Sequence, residues 1–302
     1  MSVQSLSRQV LETAGIKLVN STELYPALHQ PGDAGLPMLQ VDNSLGSALI
    51  ALQGAHLMSF RPAGQREMLW VSPKALLQSG KPIRGGIPLC MPWFGPSPDG
   101  KVLHGFARIM EWSVVSVELA QNGATHLALE LRGDASVSAL WPHAFVFRLD
   151  ILVGKELKLG ITVENCSNQD APLAFAFHTY LAVADVAKAR VAGLEGTTYI
   201  DKMDNSTRKT QSGEVTISAP TTRFYLDVPA QQIVNSSSGQ IIIESNAKGS
   251  VVWNAWSDDK NIFDLGEGNH VGYLCVERGD FADHAVTLQP GGKYRTWMIL
   301  AY

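Results

Sequence analysis

Cysteine is scarce in this chain: Cys90, Cys166 and Cys275 are three among 302 residues. They are odd in number and widely spaced, with no C-x-x-C motif and no metal-ligand spacing, which excludes a disulfide scaffold and a cysteine zinc site. Free thiols in a reducing compartment are the expectation. Charge is also sparse, at 17% of residues with a formal net charge of −4. That argues against nucleic acid as a partner, because phosphate backbones are met by basic surfaces. No apolar run approaches the 18 or so residues of a membrane-spanning helix. Met1–Asn20 has no apolar core of a secretory signal, so a cytoplasmic protein is expected. There is no G-x-G-x-x-G loop, no P-loop and no G-x-S-x-G elbow, which weighs against dinucleotide, nucleotide and serine-hydrolase chemistry. No repeat of 20–50 residues and no Pro- or Ser-rich linker is present.

What the chain has is 45% hydrophobic residues with 27 Gly and 15 Pro, enough apolar material to bury a core. Residues 3–14 have helical spacing, ended by Gly15. Beyond them, strand patterns dominate. Phe145, Phe147, Leu149, Ile151 and Val153 alternate with other residues. After Gly154-Lys155, Leu157, Leu159, Ile161 and Val163 alternate again, as a hairpin with one buried face requires. Further strands are expected at 38–41, 47–51, 112–119, 126–131, 171–181, 214–218, 241–245, 250–256, 272–277 and 294–301, separated by Gly, Asn, Asp and Ser clusters. The polar stretch Lys202–Gly213 reads as a surface loop. The pattern predicts an all-β chain, one large antiparallel β-sandwich with few short helices. It forms a single domain over 1–302, with residues 1–35 as a peripheral N-terminal segment.

Four segments stand out chemically. Arg84-Gly85-Gly86-Ile87-Pro88 through Pro92-Trp93-Phe94-Gly95-Pro96 is too broken for a regular element and reads as a shaped loop. It is either a crossover that covers a core edge or a site wall, whose aromatic faces and arginine fork suit a sugar or a phosphate. In His104-Gly105-Phe106-Ala107-Arg108, an extended backbone would put His104, Phe106 and Arg108 on one side. Within 173–180, alternation sends Leu173, Phe175 and Phe177 one way and Ala174, Ala176, His178 and Tyr180 the other. Small residues beside an imidazole leave room for a ligand, and histidine can exchange protons near neutral pH; a buried histidine tied to a carbonyl is the plainer alternative. Within 272–280, Tyr273, Cys275 and Glu277 share a face, and Glu277 is either a salt-bridge partner, with Arg278 of a neighbouring turn, or a catalytic carboxylate. Asp258, Asp259 and Asp264 are scattered acids without calcium-loop spacing.

Seven short motifs, in order over residues 40–300, resemble the hexose-6-phosphate mutarotases (glucose-6-phosphate 1-epimerases) of the aldose 1-epimerase-like superfamily. They are Gln53-Gly54-Ala55-His56, Arg84-Gly85-Gly86-Ile87-Pro88, Pro92-Trp93-Phe94-Gly95, His104-Gly105-Phe106-Ala107-Arg108, Phe177-His178-Thr179-Tyr180, Gly193-Leu194-Glu195-Gly196 with Tyr199-Ile200-Asp201, and Cys275-Val276-Glu277. The resemblance implies the galactose mutarotase-like supersandwich and an isomerase that needs no cofactor and no metal. It implies His178 and Glu277 as the proton-transfer residues, and Arg84 and Arg108 as the arginines that hold a phosphorylated sugar. His104, Trp93 and Tyr180 are implied in the same site-lining motifs. The expected partner is a small-molecule hexose phosphate, with no nucleic acid and no membrane, and the protein is expected to be a monomer or weak oligomer. Alternatives are an aldose 1-epimerase of unphosphorylated hexoses, or a non-catalytic sugar-phosphate-binding protein on the same fold. Three departures mark this chain: Ala255 stands in Trp253-Asn254-Ala255-Trp256 where the family has proline, Leu103 where some members have glutamine, and Thr222 where many have a sugar-binding aspartate.

Overall fold

The computed structural model describes residues 11, 14–97 and 99–302. The expected helix over 3–14 lies almost wholly outside them. Every strand pairing among the described residues is antiparallel. Two large sheets, of nine and eight strands, carry the architecture, with a four-stranded sheet and a two-stranded ribbon beside them. Helical elements bounded within the described residues are short turns such as Ser21–Leu24 and Trp256–Asn261.

The hairpin that the alternation predicts forms the middle of the nine-stranded sheet. Phe145–Val153 pairs with Leu157–Asn165 in unbroken register, from Phe145 opposite Asn165 to Val153 opposite Leu157. Its alternate residues Phe147, Leu149, Ile151, Leu159, Ile161 and Val163 are buried. They join Phe175, Phe177, Leu274 and Val276 of the eight-stranded sheet in one apolar cluster. The two sheets thus share a core through one face each, as a sandwich requires. Burial of an aromatic or aliphatic side chain there is worth about 1.5–3 kcal/mol.

The structure extends the expected pattern and corrects it at one place. Residues 16–20, within the N-terminal segment, form an edge strand paired with Pro37–Asn43, and Ile16 is 1% exposed. The polar stretch after Lys202 is not all loop: Thr207–Thr210 pairs with Thr198–Asp201 at the edge of the eight-stranded sheet. Strands at His56–Pro62, Thr221–Tyr225 and Gln231–Ser236 escape the alternation reading. Thr221–Tyr225 and Gln231–Ser236 carry polar residues at half or more of their positions, so their apolar period is weak.

The second face of the eight-stranded sheet positions everything that follows. Tyr273–Asp280 lies between Gly249–Asn254 and Phe175–Phe177. Register sets Glu277 beside Val251, Cys275 beside Trp253, and Gly279 beside Ala176. The side chains of Cys275 and Glu277 therefore leave the sheet on the face away from Leu274 and Val276. Gly279 is where two strands come closest: a β-carbon there would sit 2.0 Å from the Phe175 carbonyl oxygen and 2.6 Å from Ala176 Cα. Gly279→Ala is expected to force those strands apart and cost about 1–3 kcal/mol. Thermal unfolding should show this as a midpoint lowered by several degrees, and an unchanged midpoint would contradict the close approach.

Candidate active site

Strand register brings His178 to Glu277. Phe177 pairs with Arg278 and Tyr180 pairs with Cys275. The alignment is the same on both sides of the short break at 178–179, so His178 stands across from Glu277. His178 Nδ1 lies 3.4 Å from Glu277 Oε1. The two residues are 8% and 1% exposed. His178 Nδ1 and Glu277 Oε2 have no hydrogen-bond partner. Buried polar atoms are normally satisfied, so these two are open to a ligand. The salt bridge considered for Glu277 and Arg278 does not form. Arg278 leaves the strand on the opposite face, where carbonyls of Ala230 and Ala247 and the Gln232 side chain accept its guanidinium protons.

Tyr180 and Arg84 build one side of the pair. The Tyr180 ring lies parallel to the His178 imidazole, with centroids 4.8 Å apart, and its hydroxyl accepts from Arg84 Nη1 at 3.1 Å. Arg84 Nε donates to Asp264 Oδ1 at 3.1 Å, and Arg84 Nη2 pairs ionically with the same oxygen at 3.0 Å. The loop holding Arg84 is shaped by glycine. A β-carbon on Gly86 would meet the Leu57 carbonyl oxygen at 2.1 Å, and one on Gly85 would meet Val71 Cα at 2.4 Å. His56 hydrogen-bonds the Gly85 carbonyl at 2.8 Å, so the Gln53-Gly54-Ala55-His56 motif is a brace for that loop.

His104 builds the other side. Its ring approaches His178 edge-on, at 5.8 Å between centroids. The segment is not extended as expected: His104 and Gly105 have φ of 62° and 67°, and Ala107–Ile109 is a 3-10 turn. The kink turns Phe106 into the core and leaves His104 at the site. His104 Nδ1 accepts from the Gly95 backbone N–H at 3.1 Å, which fixes the other ring nitrogen, Nε2, as the one that carries a proton. Arg108 Nη2 donates to the Leu103 carbonyl at 2.6 Å, and its Nε is buried without a partner. Phe94, not Trp93, contacts the His104 ring, at 4.8 Å; Trp93 packs edge-on to Phe106 and donates to the Val102 carbonyl.

Sequence reasoning assembled His178, Glu277, Tyr180, Arg84 and His104 without seeing how they meet. It passed over Phe94, whose neighbour drew attention, and Asp264, whose partner lies 180 residues away. Thr222 lies across from Trp253, which lies across from Cys275. That row places Thr222 on the site face.

Burial governs the charges. Desolvation pushes the Glu277 carboxyl well above its ordinary range. Desolvation pushes His178 well down, helped by His104, Arg84 and Arg108 nearby. The same cause lowers His104 to about 3 and His56 to about 4. Both are held as neutral imidazoles at physiological pH. Cys275 Sγ lies within 4.8 Å of donor atoms of His178 and Glu277. Those three are the residues that could hold a soft metal ion among the described residues, but burial keeps the thiol protonated and a poor ligand.

A lowered histidine binds fewer protons folded than unfolded, so its stabilising contribution is lost as pH falls below about 6.5. Glu277, raised, acts with the opposite sign: its contribution is full below the ordinary carboxyl value and is lost as pH climbs. For His56 the shift is worth on the order of 3 kcal/mol between pH 6.5 and 4. His56→Gln should flatten the fall in melting temperature over that interval relative to the parent protein. Equal slopes in the two proteins would show that His56 is not buried neutral.

The match to known proteins covers this whole site. The aldose 1-epimerase family model matches residues 37–301. A protein of Escherichia coli (strain K12), provisionally named glucose-6-phosphate 1-epimerase, is 31% identical over 84% of this chain and 87% of its own length. A relative from Cenchrus ciliaris with the same provisional name is 32% identical, over 84% and 80%. The crystal structure of YeaD from Salmonella typhimurium, provisionally a mutarotase, superposes with a TM-score of 0.83 at 27% identity, covering 97% of this chain and 99% of that one. Because the family match runs from before Gln53 to beyond Glu277, taking in every motif that lines the imidazole–carboxyl pair, this chain belongs to the aldose 1-epimerase family.

Proposed function

We propose that this epimerase interconverts the α and β anomers of a hexose 6-phosphate, with glucose 6-phosphate as the foremost substrate. The observation that carries the reading is the isolated pair: His178 and Glu277, 3.4 Å apart and buried, with His178 Nδ1 and Glu277 Oε2 lacking hydrogen-bond partners among the described residues. Anomer exchange asks for one thing on each side of the anomeric carbon. The hydroxyl at C1 must lose a proton and the ring oxygen must gain one.

An ionised Glu277 beside a protonated His178 would face a site too dry for that separation of charge. Burial favours a carboxylic acid and a neutral imidazole. The same chemistry then runs as a relay. Glu277 gives its proton to His178 Nδ1 while His178 Nε2–H protonates the ring oxygen. The Glu277 oxygen freed of its hydrogen takes the proton from the C1 hydroxyl. The ring opens to an aldehyde, the C1–C2 bond rotates, and the reverse relay closes the ring from the other face. Each residue ends as it began, and no net charge is created in the site. The 3.4 Å separation is long for a hydrogen bond, as is common before a substrate tightens such a pair.

Arg108 at the site favours a phosphorylated sugar over a neutral one, since charge-assisted bonds to phosphate are strong. Phe94 and the aromatic rings around Tyr180 suit the C–H faces of a pyranose. A hexose phosphate is a charged metabolite confined to cells, so this reading includes a cytoplasmic enzyme acting on a small molecule. No helix among the described residues is long and apolar enough to cross a membrane. Pure sugar-phosphate binding gives no reason to bury a carboxyl and an imidazole against each other.

Glu277→Gln and His178→Ala are each expected to lower the catalysed exchange rate by about 10²–10⁴-fold. NMR exchange spectroscopy on glucose 6-phosphate measures it, with the melting temperature checked alongside. A near-parental rate in either variant would remove that residue from the mechanism.

A further inference from the structure

The two arginines are not equivalent. Arg84 already spends its Nε and Nη2 on Asp264, and Nη1 reaches Tyr180. Its planar fork, the part suited to a dianion, faces a carboxylate. Among the described residues Arg108 has no carboxylate within ion-pair distance. One of its nitrogens meets the Leu103 carbonyl and Nε has no partner. A phosphate is an acceptor only, and a neighbouring carboxylate repels it. A sugar hydroxyl both donates and accepts, and is served best by a donor and an acceptor side by side.

Asp264 and Arg84 form such a couple. Both contacts to Arg84 use Asp264 Oδ1, and among the described residues no donor reaches Oδ2. The side chains of Asp264 and Arg84 are 14% and 26% exposed, so they are accessible to a small ligand while largely sheltered from water. Asp264 is also held firmly. Phe263 before it points outward at 81% exposure, and Leu265 after it is fully buried beside Tyr180 and Tyr273. The Leu265 carbonyl accepts from Ser72 and Asn269 side chains. An anchored residue on one side and an outward one on the other leave Asp264 directed at Arg84, and through Arg84 and Tyr180 it stands next to the His178 ring.

We propose that Asp264 is a specificity-determining residue that, with Arg84, reads one ring hydroxyl of the sugar, and that Arg108 is the arginine that meets the phosphate. This assignment rests on the anomer-exchange reading given above. It divides the site into a hydroxyl-reading side, bounded by Tyr180, and a phosphate side, bounded by His104.

The experiment compares kcat/KM of the parent protein, Asp264→Asn and Arg108→Ala on glucose 6-phosphate, its 2-, 3- and 4-deoxy analogues, and glucose. The parent should lose about tenfold or more on one deoxy analogue, because a buried group built to bind a hydroxyl is left unpaired without it. In Asp264→Asn that penalty should shrink to less than about threefold, and activity should fall by a similar factor on glucose 6-phosphate and on glucose. Arg108→Ala should lose at least about tenfold more on the phosphate ester than on glucose. Retention of every deoxy penalty in Asp264→Asn, or a gain confined to the phosphate ester, would mean that Asp264 only tempers the charge of Arg84, and the hydroxyl assignment would fall. Equal losses on both substrates in Arg108→Ala would overturn the phosphate assignment. Thermal unfolding accompanies each variant, and Asp264→Ser replaces the asparagine variant if that one does not fold, with the same outcomes deciding. A parent protein inactive on every sugar would overturn the anomer-exchange reading together with this one. An active parent with the contrary variant pattern would overturn this one alone.

Discussion

The site depends on one constraint: a continuous antiparallel alignment between the segment 175–182 and the strand 273–280. Phe177 opposite Arg278 and Tyr180 opposite Cys275 leave no freedom for what lies between them. A slip of one residue would turn Glu277 into the sandwich core and Arg278 out of it. Neither could be tolerated, since each is satisfied, or deliberately left unsatisfied, only on its own side. The carbonyl cage around Arg278 and the partnerless Glu277 are thus two readings of the same register.

Around that rung, burial favours the neutral forms of His178 and Glu277. Rings of Tyr180, His104 and Trp253 approach His178 from three directions. The nearby histidines are pinned by backbone groups, His104 by Gly95 and His56 by Gly85. A neutral histidine with a fixed tautomer is a directional dipole, and it adds no charge beside the pair, for which the proposed relay carries one net proton from the C1 hydroxyl to the ring oxygen. Cationic residues stand further out, where solvent and the Asp264 carboxylate moderate them.

Much of the architecture was legible because it rests on period. Residues 145–163 alternate cleanly, since one face meets the core and the other does not, and the hairpin formed in the register the alternation demands. The same rule placed His178 and Tyr180 together, away from Phe175 and Phe177. Thr221–Tyr225 and Gln231–Ser236 were not legible, because polar residues interrupt their apolar period. Among site residues, those in dense motifs could be seen. Asp264 could not, because a carboxylate in a loop is defined by its partner, and sequence spacing says nothing of an arginine so distant. The choice between Trp93 and Phe94 turns on the left-handed backbone at His104 and Gly105. Nothing in side-chain composition announces that bend except the glycine itself, where a β-carbon would strike the Met91 carbonyl oxygen at 1.8 Å.

The His178–Glu277 pair and the group beside Arg84 sit on different kinds of scaffold. His178 and Glu277 belong to a ladder inside a large sheet, while Asp264 hangs from an irregular crown between two short turns. A sheet interior resists insertion and rearrangement, whereas such a crown can be lengthened, shortened or rewritten without disturbing strand pairing. On the assignments proposed above, descendants of this fold could change which sugar they accept by editing the crown, and inherit the ring-opening step intact.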